Sequence, residues 1–286
     1  MSENEQKKAE PAPSTNPFLL PVMLTVIIYA AVCYYKHEVS PMRNMPAAIQ
    51  PETVSAADPQ PDSEPDPAPA PARTATREIY LTFDDGPCKN TPEVLDILDR
   101  YDAKATFFTV GTSVERYPEY AANIVKRGNL IACHSYTHEF DKCYASADAF
   151  IAETERWKRS VKNACGALPE RICVRFPGGS TTNYAAAVRE DIIDRLDDAG
   201  YCWFDWNAAD NDKWPKGNTK KLSDEEYFLE SYRECMSWYK DSPDVPVVFL
   251  MHDTEEGSVH ILPAILQDLI DRGYAFKRLD EHPDWG

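Results

Sequence analysis

From Glu78 onward the chain repeats one unit: a short apolar run with the look of a buried strand, then a longer stretch of helical spacing. The strand-like runs are Glu78 to Phe83, Ala105 to Val110, Asn129 to Cys133, Ile172 to Arg175, Tyr201 to Phe204, Val245 to Met251 and Tyr274 to Leu279. Between them, helical spacing covers Thr91 to Tyr101, Pro118 to Arg127, Ala147 to Ala164, Tyr184 to Ala199, Ser223 to Tyr239 and Val259 to Arg272. Thr91-Pro92 reads as a helix N-cap followed by Pro at the first helical position, and Gly128, Gly200 and Gly273 each stand just past a helix end. About seven apolar runs alternating with helices point to a parallel sheet, either an α/β barrel or a doubly wound sheet.

The residues before this unit obey different rules. Positions 1–17 are polar, and 18–35, from Phe18 to Tyr35, are apolar. As a helix this run spans about 27 Å, near the thickness of a bilayer core and too long for an ordinary signal segment, so it reads as a transmembrane anchor. A cleaved signal is the alternative, with small residues at Ala30-Ala31 and Ala47-Ala48. Positions 36–77 are rich in Pro, Ala and acidic residues. Such a segment buries too little apolar surface to offset its ordering entropy, and reads as a disordered, extended linker. Residues 78–286 are long enough for one domain with its own core.

The net charge of −17, without a basic cluster interleaved with aromatics, argues against nucleic acid as a partner. Seven of the eight cysteines fall after the linker, an odd number that argues against a complete disulfide framework. Cys133 and Cys202 read as small core residues; Cys165 and Cys173 are spaced to close a short loop if the domain is outside the cell.

Chemistry-bearing residues gather at the ends of the strand-like runs. Asp84 and Asp85 are adjacent acids at a strand terminus, which need a cation, a shared proton or different environments. Two of the six histidines, His134 and His138, stand four apart, a spacing that puts both imidazoles on one face of a helical turn and lets them reach one metal ion. One Asp completes three ligands and leaves a fourth position open. Arg175 ends the fourth run, Asp205, Asp210 and Asp212 follow the fifth, and His252-Asp253 follow the sixth. His260 and His282 match no motif and read as surface residues.

Taken in order, Thr82-Phe83-Asp84-Asp85-Gly86-Pro87, His134-Ser135-Tyr136-Thr137-His138, Arg175-Phe176-Pro177-Gly178-Gly179, Asp205-Trp206-Asn207 through Asp212, and Leu250-Met251-His252-Asp253 resemble the five motifs of the NodB-homology polysaccharide deacetylases, carbohydrate esterase family 4. The variant with Asp-Trp-Asn and Arg-Phe-Pro-Gly-Gly-Ser resembles the branch found in peptidoglycan deacetylases of Gram-positive cell walls. The resemblance implies a distorted (β/α) barrel of about seven parallel strands.

It also implies roles. Asp85, His134 and His138 would bind a divalent metal, zinc in the first place, with Co2+, Mn2+ or Ni2+ as alternatives. The metal would polarise the acetyl carbonyl and bind the attacking water, whose proton Asp84 accepts as base. Arg175 would orient that base, and His252 would be the acid, held charged by Asp212. The backbone N–H at Gly178 would stabilise the oxyanion; Pro177, Gly178, Leu250 and Trp206 would contact substrate, with Leu250 lining the acetyl pocket. Two positions depart from the family pattern. Gly178 replaces a bulkier, often aromatic residue, and Lys213 stands where Trp is common, leaving Trp206 or Trp214 to wall the acetyl pocket.

The implied protein is a deacetylase of N-acetylated sugars in a cell-surface polysaccharide, first of all peptidoglycan. Its catalytic domain is expected to be monomeric and extracellular, tethered to the cell membrane by a single span, or secreted if the signal is cleaved. An O-acetyl xylan esterase and a catalytically silent glycan-binding module are the alternatives.

Overall fold

The structure is a computed structural model that describes residues 77–213, 220–242 and 244–285. The proposed anchor at 18–35, nearly all of the linker, and Trp214 lie outside the described residues. Among the described residues no helix is long and apolar enough to cross a membrane.

The strands are β1 (Arg77–Asp84), β2 (Thr106–Thr109), β3 (Leu130–Cys133), β4 (Cys173–Val174), β5 (Cys202–Trp203), β6 (Ala208–Ala209), β7 (Val247–His252) and β8 (Tyr274–Lys277). The helices are α1 (Thr91–Arg100), α2 (Gly111–Arg116), α3 (Pro118–Lys126), α4 (Phe140–Cys143), α5 (Ala147–Cys165), α6 (Arg189–Asp198), α7 (Asp224–Ser237) and α8 (Glu256–Asp271). All the strand pairs are parallel, in the order β5-β4-β3-β2-β1-β7-β6. β8 takes the first half of a β1 edge whose second half pairs with β2.

β1 is central because it is apolar on both faces, as a strand covered on both sides must be. Ile79, Leu81 and Phe83 point into the larger core with the helices, while Tyr80 points into a smaller cluster with Phe108, Leu130, Ala132, Cys173, Cys202, Val248 and Leu279. Thr82 and Asp84 share Tyr80's face, and their register partners Leu250 and His252 share Val248's. This second face carries the candidate site at its carboxyl ends.

The expected barrel does not close: among the described residues no ladder joins β5 to β6. The link between them is held by a side chain instead. Arg175 donates from Nε to the Phe204 carbonyl (3.0 Å) and from Nη2 to the Asp205 carbonyl (3.1 Å), so these backbone acceptors are satisfied without a strand partner.

Other differences are local. β4 and β5 are two-residue strands inside longer apolar runs, and β6, α2 and α4 have no counterpart among the expected elements. Asn90, not Thr91, holds the N-cap position of α1, without a side-chain cap bond. Thr91 is instead turned inward, where its hydroxyl donates to Asp253 Oδ2 (2.5 Å). Cys165 and Cys173 are free thiols, and Cys133 and Cys202 are buried as expected. His260 is exposed and pairs with Glu225, but His282 is buried between the rings of Tyr80 (4.7 Å) and Phe204 (5.1 Å) and is no surface residue.

Candidate active site

Adjacent residues of a strand point to opposite faces, so Asp84 and Asp85 share one pocket only because the chain leaves the strand between them. Asp85 has a left-handed backbone, φ 74°, which Asp tolerates better than most residues. Gly86 follows because nothing larger fits: a Cβ there would stand 2.4 Å from Asp253 Oδ2.

The two acids have different partners. Asp84 Oδ1 accepts from Arg175 Nη1 at 2.8 Å, and the same nitrogen is 2.8 Å from Thr82 Oγ1. Arg175 is fully buried, with its guanidinium 4.0 Å from the Phe108 ring centroid and 5.7 Å from that of Trp206. Asp85 Oδ1 is buried without a hydrogen-bond partner and faces His138 Nε2 at 3.3 Å and His134 Nε2 at 3.6 Å. Asp85 Oδ2 faces Lys213 Nζ at 3.5 Å and His252 Nε2 at 4.0 Å. Burial alone would raise the Asp85 pKa; His134, His252, His138 and Lys213 together hold it below the usual carboxylate value.

Asp85, His134 and His138 form a group whose ligand atoms lie within 4.8 Å of one another. Tetrahedral ligands at 2.0–2.1 Å from an ion stand about 3.3 Å apart, so the Asp85 to histidine spacings suit such a centre. His134 Nδ1 is 2.9 Å from the Arg175 carbonyl, which accepts only, so Nδ1 carries the proton and Nε2 presents a lone pair to the pocket. Burial lowers the His138 pKa, and His134 acts the same way whenever it is protonated, which favours the neutral imidazole that a metal requires. The residues therefore fit a divalent cation. Their backbone differs from the expected helical turn: residues 134–138 form a loop, with Ser135 at φ 67° and His138 at φ 58°. Ser135 Oγ accepts from the His138 N–H at 2.9 Å and fixes the bend.

Opposite this group, His252 Nδ1 is 2.7 Å from Asp212 Oδ1, and the His252 backbone N–H donates to Asp212 Oδ2 at 2.8 Å. Of the three acids after the fifth apolar run, Asp212 is thus the histidine's partner, while Asp205 receives the Ser180 N–H (2.9 Å). Burial opposes the charged form of His252, but the Asp212 hydrogen bond and charge, with Asp84 and Asp85, lift its pKa to about 9. Ser258 Oγ touches both Asp212 Oδ2 (2.8 Å) and Asp210 Oδ2 (2.9 Å) with one proton to give. Burial, then the Asp212 charge, push the Asp210 pKa well up.

The remaining predicted residues ring this centre unevenly. Pro177 and Gly178 occupy a turn after β4, where the Pro177 carbonyl accepts from Tyr144 Oη at 2.8 Å. Leu250 is buried on β7, two residues before His252 on the same face. Trp206 is half-buried, its ring edge 3.0 Å from where a Cβ on Gly179 would stand. Lys213 contacts Glu255 (2.5 Å) and Thr254 (3.0 Å) besides Asp85, so this position brings a cation to the rim rather than an aromatic wall.

Sequence reasoning gave no role to Thr82, Asp210, Asp253 or Ser258. Thr82 was legible, because it shares a strand face with Asp84; Ser258 on α8 left no signal. Asp253 is fully buried, and its Oδ1 has no partner. Burial pushes its pKa up to about 7, against the Thr91 hydrogen bond and with the Asp85 charge. An acid whose native pKa exceeds its unfolded value, about 3.9, stabilises the fold fully only below that lower value, and the contribution is lost as pH rises to about 7. Asp253→Asn keeps the shape and cannot ionise. It should therefore flatten the loss of stability between about pH 4 and 7 and make the variant more stable at pH 7 by roughly 1–3 kcal/mol. Denaturant unfolding of both proteins across that range measures the difference; parallel profiles would show that Asp253 stays charged in the fold.

Comparison with known proteins places this chain in a family. Residues 72–193 match the Polysaccharide deacetylase family. Over 262 residues the chain is 30% identical to the peptidoglycan-N-acetylglucosamine deacetylase of Bacillus cereus, covering 91% of each protein. The catalytic domain of a peptidoglycan N-acetylglucosamine deacetylase from Eubacterium rectale superposes with a TM-score of 0.62 at 32% identity, over 71% of this chain and 88% of that one. A polysaccharide deacetylase from Bacillus cereus gives a TM-score of 0.61 at 30% identity, over 72% and 94%. The chain belongs to the polysaccharide deacetylase family, and it is an enzyme of that class rather than a binding module without chemistry.

Proposed function

We propose that this enzyme hydrolyses the acetamide of N-acetylated sugars in peptidoglycan, giving acetate and a free amino sugar, with a divalent metal, zinc in the first place, held by Asp85, His134 and His138. The observation that carries this is the unequal partnering of two adjacent acids: Asp84 is tied to Arg175, and the buried Asp85 Oδ1 is left to two histidines. When bound, the metal supplies a Lewis acid that acidifies water and polarises a carbonyl. Asp84 takes the proton of the attacking water; Arg175 holds its Oδ1 and leaves Oδ2 toward His134 and the centre (3.6 Å). His252, with Nδ1 engaged by Asp212, gives the proton on Nε2 to the departing nitrogen. The Gly178 N–H would add a donor to the developing oxyanion. Peptidoglycan is supported by the named activity of the similar Bacillus cereus and Eubacterium rectale proteins. The apolar run at 18–35 and the linker after it support a tethered enzyme reaching outward to a wall polymer.

The full chain, with zinc and with chelator, should be incubated with N-acetylglucosamine oligomers, isolated wall and O-acetylated xylan. Acetate release that leaves free amines and stops with chelator is expected, the lost acetyl being located by mass spectrometry. Release from xylan alone would make the enzyme an esterase and end the amidase reading.

A further inference from the structure

A line of aromatic rings leads from the His-rich group toward solvent, and the reaction above leaves it without a task. Phe140 opens α4 two residues after His138, with its ring 5.6 Å from the His138 imidazole. Tyr184 stands 4.7 Å further on, ring centroid to ring centroid. It is 57% exposed, and of the exposed large apolar side chains among the described residues it is the one whose ring reaches back toward the site. Isolated exposed apolar residues need no explanation; an exposed ring at the end of a row that begins at a candidate metal ligand has a position to explain.

Gly178 supplies the second observation. Its φ of 77° is a conformation that side-chain-bearing residues rarely adopt, so the position has no aromatic group of its own. A Cβ at 178 would stand 3.3 Å from Phe140 Cζ and 3.6 Å from Thr182 Oγ1. The space beside Gly178 is therefore filled from the opposite wall, by the Phe140 ring. Tyr144 secures that wall, with its ring 6.1 Å from Phe140 and its hydroxyl bonded to the Pro177 carbonyl.

We propose that Phe140, on α4, and Tyr184, in the turn before α6, form a stacking platform for one pyranose ring of the glycan. The negative face of an aromatic ring attracts the polarised C–H face of a sugar, and a tyrosine fixed by two torsions loses little entropy on contact. Phe140 sets the depth of the subsite, and Tyr184 supplies the open face. The inference rests on the reading of the substrate as an N-acetylated glycan.

Tyr184→Ala removes an exposed side chain and leaves the core intact. With N-acetylglucosamine oligomers long enough to pass the site, KM should rise about tenfold, the scale of one aromatic stacking contact, while kcat stays within about twofold. Tyr184→Trp should restore KM, and metal content should be equal in all three proteins. In an Asp84→Asn background, calorimetry should show the same loss of oligomer affinity on Tyr184→Ala without turnover. Unchanged KM and affinity would overturn the platform, as would a loss confined to kcat. Should the unsubstituted chain release no acetate but bind oligomers in a Tyr184-dependent way, the functional reading would fail and the platform would stand.

Discussion

Asp84→Asn should lower kcat for acetate release by roughly 10²–10⁴-fold with metal affinity close to that of the unsubstituted enzyme. The asymmetry of the acid pair dictates this. Asp84 gives one oxygen to Arg175 and has no second anchor to the His-rich group closer than 3.6 Å, whereas Asp85 Oδ1 faces both histidines and nothing else. Asparagine is the informative replacement because its carbonyl still accepts from Arg175 Nη1. Alanine would leave a buried guanidinium beside a cavity, and breaking a buried pair in that way costs about 3–5 kcal/mol. Even asparagine leaves Arg175 without an opposing charge there, so thermal unfolding must be recorded alongside the rate. Asp85→Asn should behave differently, losing both rate and metal, by more than the roughly 10–100-fold that outer contacts of a metal site contribute. Zinc affinity by chelator competition separates the two. Equal loss of metal in both variants would show that the acids share the ion and would remove Asp84 as an independent base.

What could be read in advance, and what could not, follows from the range of each interaction. β1 and β7 are continuous apolar runs because both faces of a central parallel strand are covered, and such runs announce themselves. β4 and β5 are two residues each and were still found, because each lies inside a longer apolar run; β6, also two residues, has no such run around it and left no signal. Open closure of the sheet depended on Arg175 capping two carbonyls 29 and 30 residues away, which no local pattern encodes. The His134 and His138 pair was visible from spacing, yet its conformation was misread: two left-handed residues, not a helical turn, bring the imidazoles together. His282 was misplaced because its burial is decided by Tyr80 and Phe204, both distant in the chain. Strand-end position alone did not choose among Asp205, Asp210 and Asp212; the family resemblance named Asp212, and the structure shows why it is the partner. All three are strand-end acids in sequence, and only the register of β6 beside β7 sets Asp212 against His252.

That choice leads to the other large effect. Asp212→Asn should cut kcat at neutral pH by roughly 10²–10³-fold and move the alkaline limb of the pH–rate profile down toward the ordinary imidazole value near 6.5. Asp212 accepts three hydrogen bonds, from the His252 N–H, His252 Nδ1–H and Ser258 Oγ–H. Asparagine has one acceptor oxygen, so its NH2 must face a group that was a donor. The ring nitrogen is the one that can yield: Nδ1 gives up its proton and accepts, which favours the neutral form of His252. In the unsubstituted enzyme the imidazolium, with its pKa lifted to about 9, is the form populated at neutral pH and can donate from Nε2. A histidine returned to about 6.5 is charged in only about a tenth of molecules at pH 7.5, and the misaligned ring accounts for the rest of the loss. A dication held by Asp85 would lower the His252 pKa in both proteins, so the difference between them reports Asp212. Lowering the pH toward 6 should return part of the variant's activity, because protonation then recovers the acid without its partner. Rate profiles from pH 5 to 10, with the His252 titration followed by NMR, measure both quantities. An alkaline limb that stays in place on Asp212→Asn would mean that the proton reaching the departing amine comes from another group, and Lys213, 3.5 Å from Asp85, would be the next to substitute.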